Sequence, residues 1–189
     1  MINLTKISIF FLLLLSIFQT ACAPLIITGP VATGDRRDFE AQIMDEKIEW
    51  IAISDTQEFE GNFRANFVSY NQKLLVTGQA SNQELINKIV STVNKIKNVK
   101  KVYNKMTVGE RNTFKNIAND TVITTNVISR VFAKEGKGRV TALNIKVYTE
   151  SNIVYLLGLV TQKEADQAIK IARTSKGVKI VVPLFEITK

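Results

Sequence analysis

The sequence has no histidine and only one cysteine, Cys22, among its 189 residues. Without histidine there is no Ser-His-Asp or Cys-His nucleophile system and no imidazole ligand for zinc. A single cysteine excludes an internal disulfide and any thiolate metal cluster. Carboxylates remain as candidate acids or bases, which makes an enzyme the least favoured function class; no cofactor is expected. The only Gly-Lys-Gly run, Gly136-Lys137-Gly138, lacks the frame of a phosphate loop. Prolines number three, and two of them, Pro24 and Pro30, fall close together near the N-terminus. Nor is there a long apolar run. The longest, Ile7 to Phe18, is 12 residues, against about 20 for a helix that crosses a bilayer.

That short run is informative by its flanks. Lys6 precedes it and Thr20-Ala21-Cys22 closes it, which is the plan of a secretory signal peptide over 1–21: charged start, apolar middle, small residues at the cut. Ala23 to about Asp38 contains Pro24, Gly29, Pro30 and Gly34 with little periodicity and reads as a tether. Hydrophobic residues make up 46% of the chain, so the remainder is expected to bury a core, as one medium domain or two small ones. Charge is unevenly spread. Residues 35–110 hold 11 acidic and 11 basic side chains, whereas residues 111–189 hold 13 basic and 6 acidic. The basic half suits an anionic partner. For a secreted, tethered protein that means acidic lipid headgroups and no nucleic acid.

Periodicity then predicts the elements. Asp38 to about Ser54 has helical spacing, with Ile43 or Met44, Ile48, Ile51 and Ala52 on one face and Asp45, Glu46, Lys47 and Glu49 largely off it. Trp50, the only tryptophan, is expected between the domains or against the sheet. Phe63–Ser69 alternates as a strand with one buried face, Asn71-Gln72 marks a turn, and Lys73–Gly78 is a second strand. Ser81 with Glu84 fits a capping box for a helix whose inner face is Leu85, Ile89, Val93 and Ile96. Val99–Val108 is a third strand. The order helix-strand-strand-helix-strand recurs at an offset of 80, which sets Gly78 on Gly158, Phe63, Ala65 and Phe67 on Leu143, Ile145 and Val147, and Ile48, Ile51 and Ala52 on Ile128, Val131 and Phe132. Two copies of about 70 residues each suffice for a small core. The expected fold is α+β: two tandem units, each a three-stranded mixed sheet with two helices on one face. A short linker, about Gly109 to Asn119, favours packing of the two units together. Gly78 and Gly158 are expected to permit tight turns, and Glu84, Glu164 and Asp120 to be helix-start residues.

Asn119–Val127, Tyr155–Ala165 and Gly177-Val178-Lys179, within that repeated order, resemble the BON-domain family. Cys22 after Thr-Ala resembles the lipobox of bacterial lipoproteins, with Gln19 where Leu is usual. Together these make the chain similar to the dual-BON outer-membrane lipoproteins, with a lipidated N-terminus and linker over 22–37 and BON domains over 38–109 and 118–188. The resemblance implies a non-enzymatic, periplasm-facing lipoprotein that supports envelope integrity, acylated at Cys22. It implies that the first helix of the second domain, about Asp120 to Lys134, binds anionic phospholipid. Asp120, Val122, Ile123 and Thr125 then lie at the lipid, some relatives having an aromatic residue at the place of Val122, and Arg130, Lys134, Lys137 and Arg139 supply positive charge. The bland alternative is that Ile123, Val127, Ile128, Val131 and Phe132 all face the core and the cations are solvated. A rival function is a protein–protein adaptor that holds an outer-membrane assembly or cell-wall machine.

Overall fold

A computed structural model describes residues 34–134 and 140–188. The signal segment, Cys22, Lys137 and Arg139 lie outside the described residues. The elements run α1 (Phe39–Gln57), β1 (Phe63–Tyr70), β2 (Lys73–Ala80), α2 (Gln83–Val93), β3 (Lys101–Val108), then α3 (Phe114–Phe132), a 3-10 turn (Ala142–Asn144), β4 (Ile145–Glu150), β5 (Ile153–Val160), α4 (Gln162–Arg173) and β6 (Ile180–Ile187). Each half forms one mixed sheet, β1-β2-β3 or β4-β5-β6, antiparallel at the hairpin and parallel at the strand that follows the helix. The expected α+β architecture is the one observed.

Each sheet has two buried faces. One is covered by its own helices: Ile48, Ala52, Ile86, Ile89 and Val93 meet Phe67, Leu74 and Val76 in the first half. Ile123, Val127, Val131, Ala168 and Ala172 meet Val147, Val154 and Leu156 in the second. The other faces pack on each other through Val68, Tyr70, Leu75, Tyr155 and Leu157. The order is therefore helix layer, sheet, sheet, helix layer. This corrects the one-faced reading of β1, because Val68 and Tyr70 are buried too. It also explains why the central strands carry continuous apolar runs, Leu74-Leu75-Val76 and Tyr155-Leu156-Leu157, as strands buried on both sides do.

Gly78 and Gly158 stand inside strands rather than at turns. They pair with Ala65 and Ile145, and a Cβ would collide with the carbonyl oxygen of Arg64 or Asn144 respectively. Close strand approach, not turning, demands glycine there. Two caps also differ from expectation. The cap of α2 is Asn82, whose Oδ1 accepts from the Leu85 N–H at 2.8 Å, so Ser81 is one residue early. Helix α3 starts at Phe114 behind the Thr113 cap, which makes Asp120 an interior residue of the helix.

Both hairpins turn through residues of positive φ, Asn71 (51°) and Gln72 (65°) in one and Ser151 (54°) and Asn152 (65°) in the other. That is the backbone of a two-residue type I′ turn, usually filled by glycine or asparagine. A buried aspartate from the preceding helix braces each. Asp45 accepts the N–H groups of Asn71 and Gln72, both at 2.7 Å. Asp120 accepts those of Ser151 and Asn152, both at 2.8 Å. Asp45 is 2% exposed, contrary to its expected place off the inner face.

These aspartates give the true register of the helices. Asp45, Ile48, Ala52 and Thr56 are buried on α1, and Asp120, Ile123, Val127 and Val131 on α3. The helices therefore repeat at an offset of 75 while the strands repeat at 80. The second copy has five extra residues between its first helix and first strand. The uniform offset set exposed Phe132 on buried Ala52 and is corrected accordingly.

Candidate membrane-contact site and the domain seam

Helix α3 is amphipathic in an unusual sense: both sides are apolar. Asp120, Ile123, Val127 and Val131 form the inner stripe. On the opposite side, at the same helical period, stand Phe114, Val122, Thr125, Ile128 and Phe132, with Phe114 93%, Val122 58% and Phe132 60% exposed. Ile128 is 38% exposed, so neither it nor Phe132 belongs to the core as the bland alternative required. Asp120 is the only acidic residue of the helix, and it is buried beneath the hairpin. The outer face therefore presents aromatic, aliphatic and hydroxyl groups with no negative charge.

The expected site residues separate into three groups. Val122 and Thr125 lie on the outer face, and Lys134 is exposed just past the helix end. Asp120 and Ile123 are interior and act on a surface only through the fold. Arg130 is engaged. Its Nη1 donates to the Ile171 carbonyl at 2.9 Å and to Ser175 Oγ at 2.7 Å, and its Nη2 donates to Thr174 Oγ1 at 2.9 Å. It closes the C-terminal end of α4, where carbonyls lack helical partners and the dipole favours a cation. A small open cavity of about 260 Å³ beside it is lined by Arg130, Lys134, Lys170 and Thr174 among others, which adds Lys170 to the basic groups at this end. Phe114 and Lys170 escaped sequence reading. Phe114 lies six residues ahead of the helix start expected at Asp120.

The two sheets are joined by polar groups as well as by their apolar faces. Glu150, 5% exposed, accepts from Arg64 Nη1 at 2.8 and 2.9 Å, from Gln79 at 2.8 Å, from Asn112 at 2.6 Å, and at longer range from Asn66 and Tyr148. Burial, with Glu150 nearby, pushes the Tyr148 hydroxyl up to about 12. At the opposite end, the segment leading into α1 is clamped across both halves. Arg36 donates Nη1 and Nη2 to Glu164 at 2.6 and 2.8 Å, and its backbone N–H to Asn144 Oδ1 at 3.1 Å. Arg37 bonds Asp35 and Asp45 and stacks 3.9 Å over the Tyr70 ring.

Glu164 is also the third residue of a true capping box with Thr161. The Arg36 hydrogen bonds, with help from Thr161, hold its carboxyl down at about 2. A depressed carboxyl contributes stability above its unfolded value, near 4.5, and loses it as pH falls through the folded value. Arg36→Ala is therefore expected to cost on the order of 1 kcal/mol at neutral pH, the upper end for a bidentate, partly exposed pair. Paired urea titrations should show that cost shrinking below the unfolded carboxyl value and vanishing toward pH 2.

A family model described as the BON domain matches residues 53–110 and 119–189. An outer membrane lipoprotein, DolP, from Haemophilus influenzae is 36% identical over 179 residues, spanning 90% of this chain and 91% of that protein. A 21 kDa hemolysin from Actinobacillus pleuropneumoniae is 31% identical over 156 residues, 82% of this chain and 77% of that one. Among solved structures, CdsD, a structural protein of the type III secretion system of Chlamydia trachomatis, aligns with a TM-score of 0.30 at 12% identity, over 75% of this chain and 92% of that chain.

Proposed function

We propose, since this chain belongs to the BON-domain family and is an outer-membrane lipoprotein of the DolP type, that its second domain binds anionic phospholipid through the outer face of α3 and thereby supports envelope integrity from the periplasmic side. The observation that carries the reading is the second apolar stripe of α3, Phe114, Val122, Ile128 and Phe132, on a helix without exposed acid. A helix with such a face lies in the headgroup region with its aromatic and aliphatic groups inserted. Lys134 and the neighbouring Lys170 then approach the anionic surface, each worth roughly 1 kcal/mol at low salt.

Cys22 sets the scale of the affinity that is needed. Each buried acyl methylene contributes about 0.8 kcal/mol, and a second chain makes a marginal anchor firm. With the tether holding the domains at the bilayer, effective concentration is high and α3 need bind only weakly on its own.

The test is co-sedimentation of the chain from Ala23 onward, which holds both cores entire, with vesicles of phosphatidylcholine alone or mixed with phosphatidylglycerol. Binding is expected only to the mixed vesicles. Val122→Asp should weaken it roughly tenfold, about 1.4 kcal/mol, and Val122→Trp should strengthen it by adding an interfacial aromatic ring. Equal binding to neutral vesicles overturns the reading. A Cys22→Ala chain that fractionates with the outer membrane as firmly as wild type would overturn the lipid anchor.

A further inference from the structure

We infer that the outer face of α1 in the first domain is a protein-docking surface for a segment that presents an apolar ridge flanked by lysine or arginine. At the register set by the two aspartates, α1 repeats the double-sided pattern of α3. Phe39 corresponds to Phe114 and Ile53 to Ile128, with Ile43 and Trp50 on the same stripe. All four are exposed, Trp50 to 73%, which overturns the expectation that it packs between domains or on the sheet.

What differs is the rim. Where α3 has no exposed acid, α1 and its C-terminal turn carry Glu40, Glu46, Asp55 and Glu58, all exposed, against the single cation Lys47. Among the described residues none of these four carboxylates makes an ion pair. An anionic bilayer repels such a face. A basic, apolar segment fits it, because opposite potentials steer encounter and a central aromatic ring supplies the contact area. Layer order separates the two faces. α1 lies on the outer side of one sheet and α3 on the outer side of the other, so a molecule resting on α3 turns α1 toward the aqueous space. That last step rests on the α3 reading; the charge and exposure of α1 do not.

Trp50, being the only tryptophan, reports on its own surface. The chain from Ala23 onward is titrated with a synthetic amphipathic Leu/Lys helix and with its Leu/Glu counterpart, following Trp50 emission. The Leu/Lys peptide is expected to shift the emission to the blue and saturate. The Leu/Glu peptide and anionic vesicles should leave it unchanged. The triple variant Glu40→Lys, Glu46→Lys, Glu58→Lys, checked for folding by circular dichroism, should bind the Leu/Lys peptide roughly tenfold more weakly through lost charge complementarity. In cells, the full chain with a photo-crosslinking side chain at Ile43 or Ile53 should give adducts within a protein segment of the stated chemistry. A blue shift caused by vesicles, peptide binding indifferent to the charge reversal, adducts only to lipid or to a second copy, or no adduct overturns the inference. Val122→Asp should weaken vesicle binding and leave peptide docking intact, and a wild-type chain that binds neutral and anionic vesicles equally removes only the lipid reading.

Discussion

Asp45→Ala is expected to lower stability by about 3–5 kcal/mol, a large share of the 5–15 kcal/mol typical of a folded domain. The carboxylate is buried and accepts four hydrogen bonds: Ser69 Oγ at 2.7 Å, the Asn71 and Gln72 N–H groups at 2.7 Å, and Arg37 Nη1 at 2.9 Å. Alanine leaves two inward-facing backbone donors and a hydroxyl without an acceptor and removes one of the two carboxylates beside Arg37. It also frees a turn whose two non-glycine residues hold positive φ, a conformation costing roughly 1–2 kcal/mol per residue. Asp120→Ala is expected to cost less, about 2–3 kcal/mol, because among the described residues Asp120 accepts from the two turn N–H groups alone. Asp45→Asn should fall between wild type and alanine, since it keeps one acceptor. Urea midpoints and slopes decide the matter. An Asp45→Ala chain within 1 kcal/mol of wild type, or equal costs at the two sites, would sink this account of the hairpins.

Those aspartates also mark the limit of what could be read from the sequence. Strand order, the repeated unit and the inner face of α2 follow from alternation and helical spacing, which short-range patterning records directly. Polar residues at inner positions break that patterning. Asp45 and Asp120 look like surface charges until the hairpin N–H groups are placed above them, and Thr56 hides its hydroxyl by bonding the Ala52 carbonyl at 2.7 Å. The pattern Asp-x-x-Ile-x-x-x-Ala/Val recurs at an offset of 75, which places Phe132 and Ile128 on the outer face. The start of α3 was missed for a related reason. Phe114-Lys115-Asn116-Ile117 has one apolar residue in solvent and one half-buried, so no inner face announces the first turn. The family resemblance points to Val122 and Thr125 together with Asp120 and Ile123, and only the structure separates the exposed pair from the buried one. The capture of Arg130 by α4 is not legible in the sequence, because that contact joins residues 41 to 45 positions apart.

The seam sets the two apolar helix faces on opposite outer sides of the packed sheets. Tyr70, Leu75, Tyr155 and Leu157 bury the back of one sheet on the other, and Glu150 sits at one end of that contact with Arg64 donating to both its oxygens. Glu150→Ala is expected to cost about 3–5 kcal/mol, because removing one partner of a buried pair leaves the other charge uncompensated. The loss should appear as weakened coupling between the halves. A single urea transition in wild type should broaden or split in the variant, since each half keeps its own helix-covered core. Replacing both partners, Arg64→Leu with Glu150→Leu, should recover the part of the loss that comes from the uncompensated Arg64 charge, while Gln79 and Asn112 still lack their acceptor. The double-mutant cycle should then show an interaction energy in the range of about 0.5–3 kcal/mol. Additive costs, with no coupling between the two positions, would mean that the apolar sheet contact alone holds the domains in register.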